Sequence, residues 1–195
     1  MCAATLVNAL HLGTLGLQTL VDNLLEGASI ESGQFRVLPH ACSLPEIIAE
    51  VTATLQPLCE KYEQPVSLHL PPNLPAVQAD PRRTAQSLVN YLSNAIKWNP
   101  ARGNISIHVV QQENALHLTV ADEGPGLPPD QPDLFRRFVY KHSGSGRAEY
   151  GAGLGLSVVK AIIEAQGGQV GAHNRPEGGA AFWFMLPLAE PEILP

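Results

Sequence analysis

Apolar residues recur at spacings of three, four and seven in three stretches of the chain, the period of helices that bury one face. The end of the first stretch is marked by Gly27 and Gly33, Ser43 and Asp80-Pro81 open the second and third, and Pro100 closes the third. The pattern therefore predicts three helices, whose apolar faces lie within residues 6–25, 43–58 and 80–99, the first ending at Gly27 to Gly33.

Apolar and polar residues alternate in five shorter stretches, the period of strands with one buried face. These stretches are residues 34–38, 65–70, 105–110, 115–120 and 180–186. The third and fourth flank four polar residues, which is typical of an antiparallel hairpin. Together the elements predict an α+β fold in two layers, with helices on one face of a mixed, mostly antiparallel sheet.

Composition limits the function classes. The chain has 195 residues, of which 45% are hydrophobic, enough for one ordinary domain with a short appendage. A net charge of −6 argues against nonspecific nucleic-acid binding. The three cysteines have no metal or redox spacing, no apolar run is long enough to cross a bilayer, and residues 1–20 lack Lys and Arg. We therefore expect a cytoplasmic protein, although a longer protein containing this chain could be anchored in a membrane.

Candidate chemistry begins with Gly151-Ala-Gly-Leu-Gly-Leu156, which leads directly into an amphipathic segment. Glycines at the start of a helix let backbone N–H groups and the helix N-terminus face a phosphate. The loop lacks the Gly-Lys-Ser/Thr ending of a P-loop and the last glycine of a dinucleotide-binding loop. On its own it could equally serve to pack a helix against the sheet.

Three further segments carry candidate residues. Asn90, Asn94 and Lys97 recur at helical spacing and share one helix face. Asp122-Glu-Gly-Pro-Gly-Leu127 follows a predicted strand, and Phe135-Arg-Arg-Phe138 precedes a polar, glycine-rich stretch. Each alone has an ordinary structural explanation: a solvated helix face, a turn and two core aromatics.

In this order the four segments resemble the ATP-binding catalytic domain of sensor histidine kinases, in the GHKL superfamily shared with DNA gyrase and heat-shock chaperone ATPases. The resemblance covers residues 43–188 and implies the Bergerat-type fold, with ATP and Mg²⁺ as ligands. Asn94 would hold the metal, Asn90 would assist near the metal and phosphates, and Lys97 would pair with phosphate oxygens. Asp122 would accept a hydrogen bond from the adenine amino group.

The same resemblance implies a wider set of nucleotide-binding residues, namely Trp98, Asp122, Gly124, Gly126, Phe135, Phe138, Lys141, Gly151, Gly153, Leu154, Gly155 and Leu156. Gyrase-like ATPases carry a general-base Glu where this chain has Asn90, which favours phosphoryl transfer over hydrolysis. Val139 and Tyr140 stand where the family has an aromatic residue and then Arg. A cation for the γ-phosphate would then come from Arg137, Lys141 or Arg147.

The activity implied is that of an ATP-dependent protein-histidine kinase. The γ-phosphoryl would pass to a His on a hairpin segment missing from this chain, and then to the receiver domain of a response regulator. His11 lacks the acidic neighbour and following Pro of an acceptor.

The domain organisation follows from the same resemblance. Residues 1–33, ending in Ile30-Glu-Ser-Gly33, resemble the second helix of the dimerisation hairpin. Residues 34–42 would be a connecting strand, 43–190 the catalytic domain and 191–195 a tail. A homodimer through residues 1–30 is expected.

Two other functions remain open at this point. A degenerate nucleotide-binding scaffold without transfer is favoured by the missing cation after Phe138. A serine kinase of the anti-sigma-factor type would share the nucleotide site, but such kinases lack the helix that ends in Ile30-Glu-Ser-Gly33.

Overall fold

The computed structural model describes Leu17 and residues 21–128, 134–136 and 153–190. Four helices lie in this part of the chain: α1 over residues 21–31, α2 over Leu44–Lys61, α3 over Pro81–Trp98 and α4 over Gly155–Glu164. The strands are β1 (His40–Cys42), β2 (Val66–His69), β3 (Val77–Ala79), β4 (Ile105–Gln112), β5 (Ala115–Ala121), β6 (Gln169–Asn174) and β7 (Ala180–Pro187). None of these helices has the length and apolar content needed to cross a bilayer.

Side-chain caps fix where α2 and α3 begin. The Ser43 hydroxyl accepts a hydrogen bond from the Glu46 N–H at 3.4 Å, and the Asp80 carboxylate accepts one from the Arg83 N–H at 3.1 Å. Each helix also has Pro in its first turn, where the missing N–H costs nothing. The predicted starts of both helices are confirmed.

The main sheet has five strands in the order β2-β4-β5-β7-β6, and β1 and β3 form a separate antiparallel pair. Only β2 pairs in parallel, with β4, so the predicted mixed and mostly antiparallel sheet is confirmed. The predicted hairpin is also confirmed as β4 and β5. Its pairing continues to Gln112 and Ala115, so Glu113 and Asn114 alone form the turn.

One face of the sheet carries the core. Alternate residues of β4, β5 and β7 are buried against α2, α3 and α4, where removal of apolar surface from water stabilises the layer packing. Tyr91 of α3 is fully buried in this layer, and its hydroxyl donates to the Trp183 carbonyl at 3.1 Å. This hydrogen bond joins α3, the helix that carries the candidate residues Asn90, Asn94 and Lys97, to β7 of the sheet.

The prediction of a strand at residues 34–38 is wrong. This segment has no regular structure, and the strand lies just after it, at β1, paired with β3. Phe35 packs against the core and lies under the Arg83 guanidinium, 5.2 Å from it. Phe35 of this segment packs on the core without strand pairing, whereas β1 pairs with β3, which lies far along the chain.

Candidate functional site

Asp122 directly follows β5 and is only 3% exposed. Its Oδ1 accepts hydrogen bonds from the Gly124 N–H at 2.8 Å and the Ala180 N–H at 3.2 Å. Among the residues that the structure describes, no hydrogen bond falls on the other oxygen, Oδ2. One oxygen is therefore held by the backbone, which leaves Oδ2 as an acceptor for a ligand.

Burial and nearby donors act in opposite directions on the pKa of the Asp122 carboxyl. Burial raises the pKa of the carboxyl above its ordinary value. The N–H groups of Gly124 and Ala180 and the charge of Arg175 act in the opposite direction, with less effect. Arg175 also donates from Nη1 to the Asp122 backbone carbonyl at 2.6 Å. A hydrogen bond to this carboxylate is strengthened by the low local dielectric.

Gly124 and Gly126 follow Asp122 in a tight turn. A Cβ on Gly124 would lie 2.7 Å from the Trp98 carbonyl oxygen, and one on Gly126 would lie 2.7 Å from Asn174 Oδ1. Gly126 also has φ +76°, a conformation that other residues rarely adopt. In the described part of the chain, these two glycines therefore allow the turn to pack closely on the end of α3 and on β6.

The helix α3 places Asn94, Lys97 and Trp98 on half-buried positions near its C-terminal end. The Lys97 ammonium lies 4.8 Å from the centre of the Trp98 ring, within cation–π distance. Because Gly124 packs on the Trp98 carbonyl, this end of α3 lies directly beside the Asp122 turn. The structure therefore brings the predicted adenine-binding and helix residues together.

Asn90, by contrast, is only 5% exposed and lies beneath α1. Its amide exchanges hydrogen bonds with the amide of Asn23, and its Nδ2 also donates to the Gln86 carbonyl at 3.2 Å. Beside this pair, Glu26 of α1 forms an ion pair with Arg83 of α3. Sequence reasoning missed Asn23, which is buried on the face of α1 opposite the exposed apolar residues Val21 and Leu24 and so stands outside the apolar pattern.

The second glycine segment meets the middle of α3. Gly153 has φ +63°, Leu154 is buried, and α4 begins at Gly155. A Cβ on Gly155 would lie 2.8 Å from Asn90 Oδ1, so the N-terminus of α4 lies against α3. Leu156 and Phe135 are partly buried against the core.

Some predicted residues cannot be placed in this way. Phe138, Lys141 and Gly151 lie outside the described residues, as do the candidate γ-phosphate cations Arg137 and Arg147.

The residues present fit a Mg·ATP ligand. The half-buried Asn94 offers an amide oxygen, a ligand type that Mg²⁺ accepts together with waters and phosphate oxygens. The N-terminus of α4 presents backbone N–H groups of the kind that bind phosphate. The unused Oδ2 of Asp122 can accept from an exocyclic amine. All three lie around α3.

Residues 79–190 match the family described as histidine kinase-, DNA gyrase B-, and HSP90-like ATPase. The match covers more than half of the chain and includes the Asp122 turn, α3 and α4. The chain belongs to this ATPase family. Membership confirms the resemblance inferred from the four sequence segments.

Within this ATPase family the similar proteins are sensor kinases. The chain is 37% identical over 174 residues to the sensor protein KdpD of Escherichia coli, covering 89% of this chain and 19% of KdpD. It is 33% identical over 175 residues to the adaptive-response sensory kinase SasA of Trichormus variabilis, covering 88% of this chain and 43% of SasA. The chain thus spans less than half the length of each of these relatives.

Solved structures of the ATPase family agree with the fold. Full-length ShkA in complex with AMPPNP superposes with a TM-score of 0.75 at 27% identity, covering 90% of this chain and 37% of ShkA. The nucleotide-free catalytic domain of the histidine kinase ThkA superposes with a TM-score of 0.68 at 27% identity, covering 77% of this chain and 96% of that domain. The predicted two-layer fold is confirmed.

Proposed function

We propose that this chain is the ATP·Mg-binding catalytic domain of a two-component sensor histidine kinase. The observation that carries the proposal is the buried Asp122 carboxylate, whose Oδ1 is held by two backbone N–H groups while Oδ2 accepts none of the described hydrogen bonds. Family membership and the sensor kinases among the relatives support it. The AMPPNP complex of the similar ShkA supports a nucleotide as ligand.

Each residue in the site has a distinct role under this proposal. Asp122 binds the adenine amino group, the N-terminus of α4 binds phosphate oxygens, Lys97 pairs with phosphate, and Asn94 holds Mg²⁺. Magnesium supplies positive charge that neutralises the phosphates. Asn90 can contact the metal and phosphates only after its side-chain amide breaks the two hydrogen bonds to Asn23.

The reaction is transfer of the γ-phosphoryl group to a histidine of a partner hairpin. An imidazole nitrogen forms a bond to the γ-phosphorus, the bond from that phosphorus to the bridging oxygen breaks, ADP leaves, and the imidazole proton passes to solvent. Asn90 does not act as a base, because an amide accepts no proton near neutral pH. A receiver domain of a response regulator then takes the phosphoryl group.

The segment before the catalytic domain belongs to the same proposal. Residues 43–190 form the catalytic domain, and residues 1–33 contribute one helix of a dimerisation hairpin. Four large apolar side chains of this helix are half exposed or more, namely Leu17, Val21, Leu24 and Leu25. A contiguous apolar surface of this kind is typical of an interface, which supports a homodimer through residues 1–30.

Calorimetric titration of ATP, with and without Mg²⁺, tests nucleotide binding. We expect binding by the unmutated chain and a loss of about tenfold or more in affinity for Asp122→Asn, because a hydrogen bond from the ligand to a charged group is weakened. Glu113→Gln, in the exposed β4–β5 turn, is the matched control and should bind normally. No binding by the unmutated chain would refute the proposal.

Phosphoryl transfer needs a second experiment with a supplied acceptor hairpin. If the chain is a kinase, label from γ-labelled ATP should appear on the hairpin histidine and should be absent when that histidine is replaced. A scaffold without transfer is the second candidate, favoured by Val139 and Tyr140 where the family has an aromatic residue and Arg. It predicts ATP binding with no labelled hairpin.

A further inference from the structure

Three side chains from outside the Asp122–Leu127 turn hold its backbone. Arg175 donates to the Asp122 carbonyl at 2.6 Å, and Asn99 Oδ1 accepts from the Glu123 N–H at 2.8 Å. At the other end of the turn, Asn174 Oδ1 accepts from the Leu127 N–H at 2.5 Å and its Nδ2 donates to the Leu127 carbonyl at 3.0 Å. Asn174 thus binds the backbone of Leu127 with both polar groups of its side-chain amide.

The amide of Asn174 therefore takes the place of a strand partner for Leu127. A neighbouring strand would satisfy the N–H and the carbonyl of one residue in the same way. Leu127 belongs to no strand, so a side chain supplies what the backbone of the sheet does not. Gly126 makes the approach feasible, because a Cβ there would lie 2.7 Å from Asn174 Oδ1.

The position of Asn174 is itself fixed by the sheet. It is the last residue of β6 and pairs with Ala180, the first residue of β7. The Ala180 N–H is one of the two donors that hold Asp122 Oδ1. The same end of the β6–β7 hairpin thus holds both ends of the turn: Asp122 through Ala180 and Arg175, and Leu127 through Asn174.

We propose that Asn174 is a positioning residue that sets the placement of the Gly124–Leu127 backbone relative to the Asp122 carboxylate, and thereby the selectivity for adenine. The inference rests on the proposed function, since adenine is the base recognised there. Without the two hydrogen bonds at Leu127, the far end of the turn loses its connection to the hairpin that holds Asp122. Under the proposed function this backbone would line the base, and it would then move independently of the Asp122 carboxylate that accepts from the base.

The test compares ATP with purine riboside triphosphate, which has the same sugar and phosphates but lacks the exocyclic amine. For the unmutated chain we expect calorimetric affinity for ATP to be about tenfold higher or more, the effect of a hydrogen bond to a charged group. For Asn174→Ala we expect this ratio to fall about fivefold. The displaced turn would weaken the hydrogen bond between the ligand and Asp122 by about as much as one neutral hydrogen bond contributes. A merely destabilised protein would lose affinity for both nucleotides alike, so its ratio would not change.

Two further variants complete the experiment. Asn174→Asp keeps the acceptor for the Leu127 N–H but loses the donor, so its ratio should lie between those of the unmutated chain and Asn174→Ala. It also carries the test if Asn174→Ala fails to fold. Asn114→Ala, in the exposed β4–β5 turn, is the matched control and should keep the full ratio.

Failure of the inference differs from failure of the proposed function. An unmutated chain that prefers ATP, together with folded Asn174 variants of unchanged ratio, would overturn the positioning role alone. An unmutated chain that binds neither nucleotide would overturn the proposed function and the inference with it. Exchange of the Leu127 amide proton gives a direct check on the contact, and we expect it to become faster in Asn174→Ala.

Discussion

Asn23 of α1 and Asn90 of α3 exchange two amide hydrogen bonds. Asn23 Nδ2 donates to Asn90 Oδ1 at 2.9 Å, and Asn90 Nδ2 donates to Asn23 Oδ1 at 3.2 Å. Both side chains are buried, so water does not compete for the amides. The pair joins α1 to a residue of α3 that the family resemblance places near the metal.

This amide pair predicts strong coupling between the two positions. Either Asn23→Ala or Asn90→Ala leaves the other amide buried with a lost partner, which should lower the free energy of unfolding by about 1–3 kcal/mol. The double variant should cost less than the sum, by about 1 kcal/mol. Urea unfolding measures these values, with Asp22→Ala on the exposed side of α1 as control. Additive effects would show that the two amides do not interact.

Glycines 27 and 124 should respond to alanine in opposite directions. A Cβ on Gly124 meets the Trp98 backbone carbonyl at 2.7 Å, so Gly124→Ala should destabilise the domain by about 1–3 kcal/mol. A Cβ on Gly27, within α1, meets nothing within 4 Å, so Gly27→Ala should stabilise α1 by about 0.5–1 kcal/mol. Thermal unfolding followed by circular dichroism measures both. A stable Gly124→Ala protein would contradict the described packing of the turn on α3.

Gln64 is expected to stabilise the end of α3. Its buried Nε2 lies 3.3, 3.2 and 3.1 Å from the carbonyl oxygens of Ile96, Asn99 and Pro100. Gln64→Ala removes this donor from carbonyls that lack helical partners, at a cost of about 1–3 kcal/mol in the free energy of unfolding. Gln56→Ala, on the exposed face of α2, should change it by about 0.5 kcal/mol or less. Equal effects of the two substitutions would refute the prediction.

The stacked rings of His69 and His108 predict a pH effect on stability. Their centroids lie 4.3 Å apart on the paired strands β2 and β4. Burial lowers the pKa of His108, and the neighbouring His69 and Arg175 lower it further. The unfolded chain therefore binds more protons once the pH falls below about 6.5, the ordinary value for His.

The free energy of unfolding should accordingly fall as the pH drops from about 6.5 through the pKa of His108 in the folded protein. His108→Gln should reduce this fall, because no proton is then taken up at that position on unfolding. Urea unfolding at about pH 7.5 and 5.5 checks the prediction, one condition on each side of the ordinary His pKa. His40→Gln, exposed in β1, is the control. The same pH dependence for His108→Gln and the unmutated chain would contradict it.

Local signals determined which elements the sequence could predict. Helix α3 was predictable because its capping residue Asp80 and its apolar period are adjacent in the sequence. The β1–β3 pair was not, because three-residue strands carry too little alternation and their pairing is decided by residues far apart. Strand β6 was missed because Gly171 interrupts its pattern, and a Cβ there would meet the Trp183 ring.

The same distinction applies to the site. Asp122 and the glycines around it were found because they are adjacent in sequence and form a recognisable motif. Asn23, Asn99 and Asn174 were missed, since each acts through a contact with a distant segment. A polar side chain with one distant partner leaves no periodic pattern, so only the folded structure shows what it supports.

The C-terminal half of α3 has one more consequence for the ligand. Asn94 lies five residues before Asn99, whose side chain bonds the backbone next to Asp122. At about 1.5 Å of rise per residue, the helix sets these two positions about 7.5 Å apart along its axis. The metal-binding and base-binding ends of the proposed site are therefore built into one rigid body. Under the proposed function, the metal and the base would be held at a spacing that this one helix keeps constant.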